Sequence, residues 1–486
     1  MKFFLLLFVS FLAFANASQY EIYDMNGKNC GSFNGILNKQ SFAKFAKEYH
    51  GSVLVKKSSG GKVASLNNPR VSQQTLAQLN QIQKSIDLSR DTLSEEQWLE
   101  VEKNEIVKVC IDGQIPVWET SLNAAIYNDS CIVFQAPTLI GIDSLKAFFR
   151  KDGGSHKINL AVGMKYLNFK NEKVLLGYND ISKEWETASD DFKNHDPERF
   201  VSVTGMYLVD KYPVTNCEFT QQMWDSIPAK SFFYNESIKK AQDDWISRKK
   251  RSIRNENCVA HDTAANSVSL YQALKYANAR SIRDGLKPYY IFSATKERSE
   301  SIESNNKYVV KYNDFTDHKD KYVMVSINKN SDGYRLPYYD EWMMFARGGD
   351  KKNRAPWGDS TATFEDVLKY AKFSTKFPNT EEAVYYTEHV GQLKPNGYGL
   401  YDMFGLVEEH VLLKKILYGN FTYPSCRKGV GYYWALEDNM FGIPRWNKIN
   451  YGYFYPGHSG VRAGFRLVRN IGNNVKWKEL ETEAEQ

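Results

Sequence analysis

Short, mainly apolar runs rich in β-branched and aromatic residues recur between residues 100 and 210, between more polar stretches, as in β-strands. The clearest runs are 106–109, 131–134 and 206–209, and the run 200–203 leads into the last of these. The segment from Met164 to Tyr178 alternates in two halves, as a β-hairpin would. This part of the chain is therefore predicted to consist mainly of strands.

Two stretches before residue 102 carry helical signals instead. Apolar residues recur at three- and four-residue steps at Leu76, Leu79, Ile82 and Ile86. Ser94 and Gln97 form a capping box that would begin a second helix, running through Val101. These helices fit either core packing or a partner-binding coil, and core packing is favoured because the heptad pattern is short. Residues 18–160 are therefore predicted to form a separate, small α+β domain of unassigned type.

Capping signals predict three helices in the second part of the chain. The first two begin at Thr215 and Ser269, each followed three residues later by Glu or Gln, and the second should end at Gly285. The third should follow Pro337 and end at Gly348. The charged segments 224–262 and 293–328 are predicted to be surface loops, and the chain after residue 470 a frayed polar tail.

The first 17 residues have the features of a secretory signal peptide: one lysine, an apolar run too short to span a bilayer, and a small-residue cleavage site ending at Ala17. This predicts export to the periplasm, the cell surface or the medium. No later stretch is apolar enough to predict a membrane span. The net charge of +6 is small and dispersed, so nucleic-acid binding is not predicted.

Cysteine usage agrees with export, because the six cysteines are an even number that suits an oxidising compartment. Cys110 with Cys131, and Cys217 with Cys258, are candidate disulfides. Sequence alone leaves the connectivity open, because six cysteines allow many pairings.

The stretch 395–409 reads P-N-G-Y-G-L-Y-D-M-F-G-L-V-E-E, in which glycines interleave with aromatic residues as in a packed irregular turn. Asp402 and Glu409 bracket a short backbone arc through Gly405 and Val407. Two carboxylates and nearby carbonyls are oxygen ligands that suit calcium. From spacing alone, solvated acids on an aromatic turn explain the pattern better.

This stretch resembles the signature of the formylglycine-generating enzyme family, the sulfatase-modifying factors. Five further segments of this chain also resemble the family and occur in the family's order: 210–216, 268–273, 334–337, 356–358 and 464–468. The resemblance implies a loop-rich α+β fold, related to C-type lectin folds, over residues 161–472. It says nothing about residues 18–160 or the tail at 473–486.

The resemblance also implies a structural calcium ion held by Asp402, Gly405, Val407 and Glu409, which reverses the preference drawn from spacing. A second family calcium site is not expected, since Lys372 stands where a ligand Asn is usual. Active members resemble one another in a cysteine pair that binds copper(I). Here Tyr423 and Lys428 stand at those two positions, with Cys426 off register. A phenol and an ammonium do not supply soft sulfur ligands, so copper is not expected.

The leading hypothesis is therefore an exported pseudoenzyme that keeps the scaffold and serves in binding or assembly at the cell envelope. A divergent enzyme on the same fold is one alternative, with oxidation of protein cysteine to formylglycine or another metal-dependent oxidation as its reaction. A carbohydrate-binding surface protein is another. The expected partner is a protein or glycan in the groove near Tyr423, Cys426, Trp434 and Trp446, where aromatic rings fit either core packing or ligand stacking.

Overall fold

The computed structural model describes residues 18–23, 29–35, 54–57, 81–89, 96–112, 116–128, 130–149, 154–176, 199–219, 263–265, 268–297, 301–304, 307–313, 320–350, 355–358, 363–372, 389–412, 425–428 and 463–480. The chain divides into two compact units, Met1–Thr138 with Ile142–Val162, and Leu139–Gly141 with Gly163–Gln486. Within the ranges described, no helix has the length and apolar character needed to cross a membrane.

Strands make up the described part of the first unit. In chain order they are β1 (Ser18–Tyr23), β2 (Asn29–Gly35), β3 (Leu54–Lys57), β4 (Lys84–Ser89), β5 (Glu96–Val101), β6 (Ile106–Asp112), β7 (Pro116–Thr120), β8 (Ala124–Asn128), β9 (Cys131–Gln135), β10 (Gly141–Phe149) and β11 (Ser155–Val162). A seven-stranded sheet has the order β2-β1-β3-β7-β10-β11-β5, and a four-stranded sheet has the order β4-β6-β9-β8.

Both sheets contribute to one hydrophobic core. Because side chains alternate along a strand, every second residue of β6 and β11 enters it: Val107, Val109, Ile111, Ile158, Leu160 and Val162. Cys110 and Cys131 lie directly opposite each other on β6 and β9 and form a disulfide. This candidate pairing from the sequence is confirmed.

The two helices predicted before residue 102 are wrong where the structure describes them. Residues 84–89 form β4, which pairs in parallel with β6, and the capping-box segment forms β5, which pairs in parallel with β11. Pairing with strands distant in sequence overrides the local helical signal. Leu76 and Leu79 lie outside the described residues.

The second unit combines strands with short helices. The strands are β12 (Met164–Leu176), β13 (Arg199–Asp210), β14 (Tyr290–Ala294), β15 (Ser301–Ser304), β16 (Lys307–Asn313), β17 (Asp320–Ile327), β18 (Glu408–Leu412), β19 (Ser425–Lys428), β20 (Ala463–Gly464) and β21 (Val468–Glu479). The helices are α1 (Leu270–Arg283), α2 (Tyr339–Arg347) and α3 (Phe364–Leu368).

A three-stranded antiparallel sheet, β12-β13-β21, carries much of the second core. The hairpin predicted over 164–178 is wrong: β12 is one strand whose register with β13 shifts between Phe169 and Glu172. Asn171 has a φ of 61° there, so the break in the alternation of apolar and polar residues comes from a β-bulge and not from a turn. The predicted frayed tail is also wrong as far as Glu479, because β21 pairs with β13.

The segment predicted as a loop at 293–328 is mostly a four-stranded antiparallel sheet, with the order β14-β17-β16-β15. Val323 and Val325 of β17 are buried opposite Val310 and Tyr308 of β16. Charged residues between these strands masked the alternation in the sequence. The other predicted loop, at 224–262, lies outside the described residues.

The capping signals in the second unit are confirmed. Ser269 and Gln272 exchange capping hydrogen bonds at the start of α1, and Gly285 follows its end with a φ of 72°. Thr215 Oγ1 accepts from the Glu218 N–H at the start of a helical turn. At α2 the Glu341 carboxylate accepts from the Tyr338 N–H, so this glutamate caps a helix that lacks a Thr or Ser cap.

Candidate functional site

The glycine- and aromatic-rich loop predicted to carry the site docks on the end of α2. Asn396 Nδ2 donates to the Phe345 and Ala346 carbonyls, at 2.7 and 3.2 Å. Its Oδ1 accepts from the N–H groups of Tyr398 and Leu400. One buried amide therefore satisfies the helix end and fixes the turn at the same time.

Glu409, on β18, lies in a buried ion pair with Arg466. Arg466 Nε is 2.9 Å from each carboxylate oxygen, and Nη2 is 2.7 Å from Oε1. Trp342 Nε1, from α2, donates to Oε2 at 2.8 Å. The charge on Glu409 is thus neutralised by a guanidinium, and both of its oxygens already accept hydrogen bonds.

The same guanidinium also contacts three backbone carbonyl oxygens from two separate parts of the chain. Arg466 Nη1 lies 3.2 Å from the Asp210 carbonyl oxygen and 3.4 Å from that of Lys211, and Nη2 donates to the Tyr401 carbonyl at 2.8 Å. The sequence reasoning missed this role, although Arg466 belongs to the segment 464–468 that carried the resemblance. Glu409 and Arg466 lie 57 positions apart in the chain, so no local signal in the sequence reveals the pair.

Asp402 sits close to this pair and is 5% exposed. Its Oδ2 accepts from the Gly391 N–H at 2.6 Å. Burial, together with the charge of Glu409, raises the pKa of Asp402 to about 6, against the opposing effects of the Gly391 hydrogen bond and Arg466. Burial therefore disfavours the ionised form of the Asp402 carboxylate.

The carbonyl groups of the predicted calcium set lie in a tight turn. The Gly405 oxygen accepts from the Val407 N–H at 2.7 Å, and the Leu406 N–H donates to the Lys372 carbonyl at 2.9 Å. Across the described ranges there is no group of three or more His, Cys, Asp or Glu side chains placed to hold a metal. The calcium site at Asp402, Gly405, Val407 and Glu409 stays a prediction.

Two further buried ion pairs brace the same unit. Arg280 of α1 pairs with Asp210 at 2.8 Å, with both side chains fully buried. Arg335 pairs with Glu341 at 2.6 and 2.8 Å through its two terminal nitrogens. Each joins a loop or strand end to a helix, and breaking such a pair typically costs about 3–5 kcal/mol.

The groove expected to replace the copper site is only partly described. Strand β19 places Lys428 opposite Glu409 and Cys426 opposite Val411 in the backbone register. Tyr423, Trp434 and Trp446 lie outside the described residues. Cys217 is disulfide-bonded, and its predicted partner also lies outside the described residues.

Comparisons with known proteins give one match by family model and several by sequence or structure. The sulfatase-modifying factor enzyme 1-like domain matches residues 173–471. "Chaperone protein LppX" of Paenibacillus barcinonensis is 34% identical over 149 residues, which is 29% of this chain and 49% of that protein. The match thus spans about half the length of this curated relative.

Three solved structures align at low similarity. "Treponema denticola variable protein 1" has a TM-score of 0.36 and 19% identity, covering 67% of this chain and 99% of that one. "CarF" has a TM-score of 0.36 and 18% identity, and the alignment covers 64% of this chain and 98% of that one. "PvdO from Pseudomonas aeruginosa" has a TM-score of 0.34 and 15% identity, and the alignment covers 66% of this chain and 96% of that one. The family model matches well over half of the sequence, and the chain belongs to the sulfatase-modifying factor enzyme 1-like family.

Proposed function

We propose that this protein is an exported, non-catalytic member of its family that binds other proteins or helps to assemble them at the cell envelope. The observation that carries the proposal is the pair Tyr423 and Lys428 at the positions where the family's resemblance implies copper-binding cysteines. Copper(I) oxidation of a thiol depends on soft sulfur ligands, which these two residues do not supply.

The cysteine inventory supports the proposal. Cys110 and Cys131 are bonded to each other, and Cys217 is also in a disulfide. A disulfide sulfur is not a thiolate, so these three residues do not supply the nucleophile or the metal ligand that thiol oxidation needs.

The acid–base inventory points the same way. Both oxygens of Glu409 already accept hydrogen bonds from Arg466 and Trp342, which leaves this carboxylate little capacity to act on a substrate. The relative named a chaperone protein adds support for a protein-binding role, because its matched 149 residues resemble this chain at 34% identity.

We further propose that calcium is held at Asp402 and the carbonyls of Gly405 and Val407, with Glu409 shared between the ion and Arg466. The buried Asp402 carboxylate suits a divalent cation, and a carbonyl oxygen that accepts one hydrogen bond keeps a second lone pair. The hydrogen bonds already made to Glu409 make it the weakest member of the set.

The first test follows oxygen uptake by the purified mature protein with Cu(I), calcium and a cysteine-containing peptide. No uptake above the peptide blank is expected, and a copper-dependent family member assayed in parallel shows that the assay works. Uptake with aldehyde formation on the peptide would overturn the non-catalytic assignment.

A second test measures light scattering from a reduced, denatured model protein with and without this protein at equal molar ratio. Suppression of aggregation that is weakened by Trp434→Ala or Trp446→Ala is the expected result. Unchanged scattering would argue against a chaperone-like role. Retention on a neutral polysaccharide, lost in the same two variants, would favour the carbohydrate-binding alternative instead.

A further inference from the structure

The outer face of the β12-β13-β21 sheet carries lysines around a half-buried aromatic ring. Val174, Val201 and Val203 point into the core, so the alternating residues of these strands point away from it. Lys173 and Lys478 both pair with Ser202, and Lys476 pairs with Thr204. We call Lys173, Lys476 and Lys478 the lysine face; all three are exposed.

Sheet geometry places these three ammonium groups close together. Adjacent strands lie about 4.8 Å apart, so the Cα atoms of Lys173 and Lys478 are about 10 Å apart, and those of Lys476 and Lys478 about 7 Å apart. Lys173 Nζ stands 4.2 Å from the centre of the Phe200 ring on the neighbouring strand. Lys170, one bulge away on β12, is also exposed and adds a fourth positive charge.

Two carboxylates, Glu172 and Glu479, adjoin these lysines in the chain, and neither lies opposite a lysine of the face. Neither Lys173, Lys476 nor Lys478 is in an ion pair within the described part of the chain. Glu172 acts on the core side of the sheet, where it and burial raise the pKa of Tyr398 to about 12. Glu479 pairs with the core-facing Val201, so its position alternates with those of the lysines.

The face lacks what a bilayer would need. The large hydrophobic side chains that are exposed in the described residues are Tyr127, Ile282 and Ile291, and none of them lies on these three strands. Attraction to lipid would then rest on charge alone, without insertion. A basic sheet face with an aromatic ring, Phe200, fits a chain of anionic sugars, whose charges repeat and whose rings pack on aromatic groups.

We propose that the lysine face binds an anionic polysaccharide, of the sulfated or uronic-acid type. A polymer with regularly spaced negative charges can meet all three lysines at once and extend to Lys170. The export predicted from the signal segment would bring the protein to envelope and matrix polymers of this kind. The proposal rests on the described strands β12, β13 and β21 and does not depend on the function proposed above.

The test uses the full mature chain and immobilised heparin as the sulfated probe, with dextran as the neutral control. The variant Lys173→Gln/Lys476→Gln/Lys478→Gln is compared with Lys287→Gln/Lys296→Gln/Lys329→Gln, which removes the same charge from exposed lysines elsewhere. Wild type should bind heparin but not dextran. The first variant should lose affinity by roughly tenfold or more with a flatter salt dependence, and the second by less than about twofold, since counterion release follows local contacts.

Four outcomes would overturn the proposal. Equal losses in the two triple variants would mean that dispersed charge drives retention. Binding to phosphatidylserine vesicles or to duplex DNA without binding to heparin would mean that the partner is of another class. In the third outcome, wild type fails to bind heparin while the variant Glu481→Gln/Glu483→Gln/Glu485→Gln binds it. That result would mean that the lysine face is occupied by the chain's own acidic end. If the melting temperature falls in the first variant alone, its loss of heparin affinity is attributed to misfolding. The three lysine substitutions are then measured singly. Single variants that keep both the wild-type melting temperature and the wild-type affinity would refute the proposal.

Discussion

Asp402→Asn isolates the electrostatic cost of a buried carboxylate in the predicted calcium loop. Asp402 has a φ of 54°, a left-handed conformation that Asn tolerates well, and an Asn oxygen can still accept from the Gly391 N–H. The substitution therefore removes the titratable charge and keeps the backbone geometry. Its effect on stability should depend on pH.

The sign follows from proton binding. The pKa of Asp402 is raised by burial to about 6 in the folded protein, against about 3.9 in the unfolded chain. Between these values the folded state binds more protons, so its stability falls as pH rises. The loss is complete above pH 6 and amounts to about 3 kcal/mol for a difference of about two pKa units.

Urea unfolding of both proteins in EGTA, at intervals from pH 4 to pH 7.5, measures the effect. Asp402→Asn should be close to wild type at pH 4 and gain about 3 kcal/mol relative to it by pH 7.5. Calcium should narrow this gap at neutral pH, because an ion present at 100 times its Kd stabilises wild type by about 2.7 kcal/mol and the variant less. A difference between the two proteins that stays constant across this pH range would refute the electrostatic reasoning. Absence of any calcium effect on wild type would refute the proposed ion.

Three other substitutions test the packing around the loop. Glu409→Gln leaves a buried guanidinium without its charge partner and should cost about 3–5 kcal/mol in urea unfolding, whereas an effect below 1 kcal/mol would contradict the buried pair. Gly405→Ala would place a Cβ 2.3 Å from a backbone oxygen at a φ of 75°, so the yield of folded protein should fall sharply. Gly472→Ala, with φ 69° and open space around it, is the matched control and should cost only about 1 kcal/mol of strain. Trp477→Ala removes a core contact and the indole N–H that donates to Tyr207 at 3.0 Å, so it should cost about 2–4 kcal/mol by thermal unfolding; no change would restore the frayed-tail prediction.

Features that depend on nearby residues were predictable from the sequence. The capping box of Ser269 and Gln272 works within one helical turn, so its residues reveal it directly. The left-handed glycine at 348 ends α2 for the same reason. The motif at 395–409 also indicated an irregular turn, and Asn396 fixes that turn through bonds within four residues.

Features that depend on distant partners were not predictable in this way. β5 carries a capping signal, yet it is a strand because β11, about sixty residues later, supplies a parallel neighbour. The candidate site shows the same limit. Glu409 read alone is a free acidic ligand, and its actual partner, Arg466, lies 57 residues further along the chain.

The contacts of Arg466 explain how a loop-rich unit can keep its shape near Asp402. One buried guanidinium contacts a carboxylate and three carbonyl oxygens from segments that are distant in the chain. A calcium ion closes loops by the same means, since it gathers carboxylates and carbonyls around a positive charge. Arg466 therefore already performs at Glu409 the neutralisation that an ion would supply there. Calcium removal is then expected to change stability through Asp402 while β18 and its neighbours stay folded.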